Sequence, residues 1–134
     1  MSRANVEIAK RVIDAFNRRD LDAILECVTR DVEWLPAMPV TFGGAPLRGR
    51  EGIESYIREV SDTWDEYHVV GQDLRDLGVD QVLVLSRIEG RGAGSGGLVD
   101  AAMGQIFEFR DSKIARVRTY LDHGEALRAA GLAE

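Results

Sequence analysis

Apolar positions recur along this chain at two different periods. Val6, Ala9, Ile13 and Phe16 step by three, four and three, which puts them on one face of a helix. Leu21, Ile24, Leu25 and Val28 predict a second helix, with Asp20 placed as its N-cap. The stretch DVEWLPAMP (31–39) reads as a short strand ended by Pro36 and Pro39, and VTFGGAPLRGR (40–50) as a loop. Ile53, Tyr56, Ile57, Val60 and Trp64 predict a third amphipathic helix.

From there the period falls to two. EYHVVGQDLRDL (66–77) predicts a strand, and GVD turns it into QVLVLSRIEGRG (81–92). AGSGG (93–97) is a hairpin tip or a crossover. LVDAAMGQIFEF (98–109) returns, RDSK turns again, and IARVRTYL (114–121) closes the sheet. A short helix covers EALRAAG (125–131). The order is α-α-β-α-β-β-β-β-α: helices, then a meander, the pattern of an α+β domain.

Size and charge narrow the classes of function. A chain of 134 residues suits one domain, 1–134. A net charge of −6 with dispersed basic residues argues against nucleic acid or an anionic membrane as partner. No apolar stretch approaches the roughly 20 residues that span a bilayer. Met1-Ser2-Arg3 runs straight into an amphipathic pattern, so a cytoplasmic protein is expected. Cys27 is the single cysteine, and with His68 and His123 it has no zinc-site spacing, so neither metal nor cofactor is expected. The glycines at 92–97 lack the strand-to-helix context of a phosphate-binding loop.

The element order, VEW after the second helix, LRGREGIESYI, the meander, and RTYLDHGEALRAAGL at the end together resemble the SnoaL-like branch of the nuclear transport factor 2-like superfamily. The resemblance implies a cystatin-like cone: a curved antiparallel sheet wrapped around the N-terminal helices. It also implies one apolar pocket open at one end, and a homodimer formed through the sheet. It does not imply one activity, because the superfamily holds polyketide cyclases, ketosteroid isomerases, limonene epoxide hydrolases and non-enzymatic members.

Set against these relatives, the expected acids are missing. The isomerase base, Tyr and acidic donor correspond to Trp34, a position at or near Val12, and Met103. The cyclase base on the last strand corresponds to Thr119, whose hydroxyl has no useful basicity near neutral pH. The epoxide hydrolase Asp-Arg-Asp set leaves Arg87 and Glu89, two apart on one strand face, with the partner acid again replaced at Thr119. Arg87, Glu89 and His68 are therefore the catalytic candidates. The other reading of the Arg87–Glu89 pair is a solvated ion pair. His68 alternates with a set as polar as its opposite, which leaves its face undecided.

Trp34, Tyr56, Met103, Gln105 and Thr119 are the ligand-binding candidates, and Trp64 lies on a lining element. Trp34 and Tyr56 pair a large apolar face with a donor, and Gln105 interrupts an apolar strand. Asp122 with Glu125 has the spacing of a capping box, and Leu121 with Ala126 that of a hydrophobic staple. His123 is expected in solvent. The expected function is binding of a small apolar organic molecule without a complete known catalytic set. The alternatives are an isomerase, cyclase, lyase or epoxide hydrolase acting on a steroid, polyketide or terpenoid-like substrate, or an interaction module using the sheet face.

Overall fold

The first helix, α1 (Arg3–Asn17), buries the face its spacing predicts: Ala9, Val12, Ile13 and Phe16. The computed structural model describes residues 3–35, 47–92, 94 and 96–132. Helix α2 (Leu21–Glu26) begins at Asp20, whose carboxylate accepts a hydrogen bond from the Ala23 N–H. It is shorter than predicted. Val28 opens strand β1 (Val28–Leu35), where it lies opposite Ile114. A β-branched residue with a strand partner fits the sheet better than a helix end. Pro36, Pro39 and residues 40–46 lie outside the described residues.

Leu47 and Arg48 are not loop. They form a two-residue strand, β2 (Leu47–Arg48), antiparallel to Trp34 and Glu33. Helix α3 (Gly49–Thr63) follows and buries Ile53 and Val60. Trp64, predicted as its last apolar position, instead opens β3 (Trp64–Gly78). The rest of the meander is β4 (Gln81–Gly92), β5 (Leu98–Arg110) and β6 (Lys113–Tyr120), then α4 (His123–Ala129). The glycine stretch is a hairpin tip: Gly92 N–H donates to Gly97 O, and Gly96 N–H to Gly92 O.

The six strands form one curved, unclosed sheet in the order β2-β1-β6-β5-β4-β3. Neighbours are antiparallel except β1 and β6, which run parallel, so the sheet is mixed where wholly antiparallel pairing was expected. Its concave side meets α1, α2 and α3 over a core that includes Val82, Val84, Ile88, Phe107 and Val117. A side chain as buried as Phe107, at 0% exposure, contributes about 1.5–3 kcal/mol from transfer alone.

The other side carries a smaller cluster of Leu83, Leu85 and Ile106, covered by Ala126 of α4. Beyond α4 that face is polar and laced with exposed ion pairs, including Arg48–Glu33 at 2.9 Å and Arg110–Asp31 at 2.6 Å. Such pairs stabilise little individually.

The start of α4 departs from expectation in three ways. Asp122 is the N-cap, but its carboxylate accepts from Gly124 N–H at 2.8 Å, one residue short of the capping-box position. Glu125 points into solvent, and Leu121 is 44% exposed, so no staple forms. His123 is half-buried, with Nε2 2.8 Å from the Ser86 carbonyl. A carbonyl only accepts, so Nε2 carries the proton, and the ring ties α4 to β4.

Candidate functional site

A narrow hollow lies where α1, α3 and the concave side of the sheet converge. Helix α1 contributes Val12, Ile13 and Phe16, and α3 contributes Tyr56. Trp34 comes from β1, and Tyr67 and Val69 from β3. Strand β5 presents Met103, Gln105 and Phe107, the alternate residues of an inward-facing row. The volume open to the centre of a water molecule is about 20 Å³. That holds one water and no organic molecule until side chains move.

Aromatic rings dominate the wall. Phe16 stacks on Tyr56 at 5.6 Å between centroids and meets Tyr67 edge-on at 5.9 Å. Trp34 lies 5.8 Å from Tyr56 and 6.3 Å from Phe107. Such pairs contribute about 0.5–1.5 kcal/mol each beyond area burial and hold the rings in defined orientations.

Polar atoms are few. The hydroxyls of Tyr56 and Tyr67 are hydrogen-bonded to each other. Burial pushes both phenols above the ordinary tyrosine value; the Arg19 guanidinium pulls the other way on each without reversing the shift. Both are therefore neutral donors at physiological pH, not bases. Gln105 is 5% exposed, and its Nε2 donates to Thr119 Oγ1 at a long 3.4 Å. The indole Nε1 of Trp34 is buried without a hydrogen-bond partner among the described residues.

The corner after α1 fixes this wall to the edge strand. The Asn17 amide makes two hydrogen bonds to the Val69 backbone, accepting from its N–H at 2.9 Å and donating to its carbonyl at 3.0 Å. Arg19, held at φ 58°, donates to the carbonyls of Phe16 at 2.6 Å and Tyr67 at 2.8 Å. Its guanidinium lies 4.9 Å from the Phe16 ring centroid, within cation–π range. Desolvation lowers the Arg19 pKa, yet an arginine keeps its charge.

The ligand-binding candidates come together. Trp34, Tyr56, Met103 and Gln105 line the hollow, and Thr119 stands behind Gln105. Trp64 is not in the lining; it packs on Tyr67 at 5.5 Å. The catalytic candidates lie elsewhere. Ile88 points inward, so Arg87 and Glu89 point out, and Arg87 is clamped by Asp100 at 3.0 Å through both Nε and Nη2 and by Glu89 at 2.8 Å. These side chains are 48%, 62% and 53% exposed for Arg87, Asp100 and Glu89. The expected Arg–Glu pair is thus a solvated ion pair and reaches no part of the hollow. His68 is also exposed, opposite Glu89 on the outer face.

Tyr67, Val69, Phe16 and Phe107 were not among the site residues expected from sequence, nor were Asn17 and Arg19. Tyr67 and Val69 share one alternation set, the only local signal for them. Asn17 and Arg19 gave none, since their partners lie about 50 residues away: 52 for Asn17 to Val69 and 48 for Arg19 to Tyr67. Among the described residues no three His, Cys, Asp or Glu side chains gather as a metal ion requires.

Proteins of solved structure share the fold. A nuclear transport factor 2-like protein of unknown function from Burkholderia pseudomallei K96243 superposes with a TM-score of 0.80 at 22% identity, covering 96% of this chain and 97% of that one. A polyketide cyclase-like protein from Xanthomonas campestris pv. campestris gives 0.77 at 20% identity, covering 95% and 96%. TerC, co-crystallised with polyporic acid, gives 0.78 at 22% identity, covering 96% and 98%. No curated protein matches the chain. The SnoaL-like domain model matches residues 9–117, which is most of α1 through most of β6, and the chain belongs to that family.

Proposed function

We propose that this protein binds one small apolar organic molecule in the hollow between α1, α3 and the sheet, without a complete version of any catalytic set known in its relatives. The observation that carries the reading is the wall itself: five aromatic side chains and, among the described residues, no lining carboxylate, imidazole or amine. Apolar pockets with a few placed polar groups are the usual form of a small-molecule site. The positions where relatives carry acids hold Trp34, Met103 and Thr119, which offer donors or apolar surface and no base. Co-crystallisation of TerC with polyporic acid supports an organic occupant for this fold.

Entry of a ligand has to open the hollow. Met103 is the lining side chain best able to yield, being unbranched and flexible. The test is thermal denaturation against a panel of steroids, terpenoids and polyketide-like aromatics, for the native chain and for Met103→Trp. At one hundred times Kd, a bound ligand stabilises by about 2.7 kcal/mol, so the melting point of the native chain rises by several degrees. Met103→Trp fills the space and abolishes that rise while remaining folded by circular dichroism. A panel in which no compound stabilises the native chain sinks the proposal.

A further inference from the structure

One polar group at the hollow has no partner among the described residues. Trp34 is 5% exposed, its ring is held between Tyr56 and Phe107, and its Nε1–H meets no acceptor among the described residues. A buried donor left unpaired is strongly disfavoured. Indole nitrogen donates and never accepts, so only an acceptor completes it. The hollow that Trp34 lines has about 20 Å³ of free volume, room for one water, and a ligand oxygen that reproduces such a water's bond can take its place.

The rest of the wall sets the ligand's charge. Among the described residues no lining side chain is charged. The nearest cation described around it, Arg19, lies against the Phe16 and Tyr67 rings and already donates to two backbone carbonyls. A carboxylate or an ammonium entering the hollow would lose its hydration with no counter-charge to meet it. A neutral molecule pays no such penalty.

We infer, resting on the ligand-binding reading above, that the hollow takes an uncharged, largely apolar molecule bearing a carbonyl-type oxygen, and that Trp34 selects it by donating Nε1–H to that oxygen. Gln105, one side of whose amide is engaged among the described residues by the long bond to Thr119 alone, is the second polar contact available to the same ligand.

The test uses three compounds on one ring frame: indanone, indane and indane carboxylate. Titration calorimetry on the full chain is expected to show indanone binding about tenfold tighter than indane, one hydrogen bond's worth, with no binding of the carboxylate. In Trp34→Phe the indanone preference falls to about one. A second readout needs no variant. In nitrogen-15-labelled protein, with the Trp64 signal identified by Trp64→Phe, the Trp34 indole resonance moves downfield with indanone and not with indane. Equal binding of indane and indanone, a preference that survives Trp34→Phe, or a Trp34 signal blind to the ketone overturns the inference and leaves the ligand-binding reading standing. Binding of neither also overturns it, and the wider panel then decides the reading beneath it.

Discussion

Gly104 sits on the outer row of β5, and a Cβ built on it would stand 2.4 Å from the Ala126 Cβ of α4. Helix and sheet approach this closely only because the position has no side chain. Gly104→Ala therefore forces α4 off the Leu83–Leu85–Ile106 cluster, and the expected loss is about 1–3 kcal/mol of unfolding free energy, the usual scale of overpacking. Urea denaturation reads it. Adding Ala126→Gly relieves the clash and recovers part of the loss; an unchanged midpoint for the single variant removes Gly104 as the reason α4 docks. The same scale shows what single residues disclose in advance. Trp34, Tyr56 and Gln105 stood out as large or polar groups in apolar runs, and they do line the hollow. Arg87 and Glu89 stood out as charges two apart, and the same spacing is what an exposed ion pair needs.

The elements were legible where their period was unbroken. Strand β4 spans the predicted 81–92, and β5 extends the predicted 98–109 by one residue. Strand β3 was not legible face by face, because it carries a bulge. Val70 pairs with Arg87 and Asp73 with Leu85, so β3 spends one residue more than β4 across that interval, and Gly71 adopts φ 64°. The extra residue flips the alternation: Tyr67 and Val69 face inward before it, and Leu74 joins the core after it. A strict period of two cannot see that flip, which is why the face of His68 could not be read. The next turn carries a testable strain. Val79 and Asp80 join Gly78 to Gln81 with φ of 44° and 57°, both left-handed, in a two-residue hairpin. That conformation suits Asn-Gly and disfavours a β-branched residue. Val79 is 85% exposed and gains no burial in return. Val79→Asn is expected to stabilise the chain by about 1 kcal/mol, measured by chemical denaturation; a lower midpoint would show the turn to be unstrained.

For the whole molecule, the tyrosine pair couples the hollow to alkaline stability. Burial raises the pKa of both Tyr56 and Tyr67 above the ordinary value of 10.0. Below that value both states keep their phenol protons and the stability is fully present. Above it the unfolded chain releases protons that the folded chain retains, so stability falls as pH rises. The melting point is expected to drop steeply above about pH 10, with tyrosinate absorbance appearing together with unfolding. Tyr56→Phe removes one such proton and flattens that slope. A native chain in which Tyr56 and Tyr67 titrate at about pH 10 without unfolding contradicts the burial argument.

The sequence by itself determined the α+β class and the order of the long elements, since both follow from hydrophobic period and local turn chemistry. Its family resemblance placed Trp34, Met103 and Thr119 where relatives carry acids. Tertiary structure alone decided which face Arg87, Glu89 and His68 occupy, that β1 lies parallel to β6, and that Asn17 and Arg19 lock the edge strand. Those outcomes depend on a bulge, on strand pairing across the sheet and on contacts distant in sequence. The hollow is likewise a tertiary fact: its walls come from α1, β1, α3, β3 and β5, and no local period records the space left between elements that pack around it.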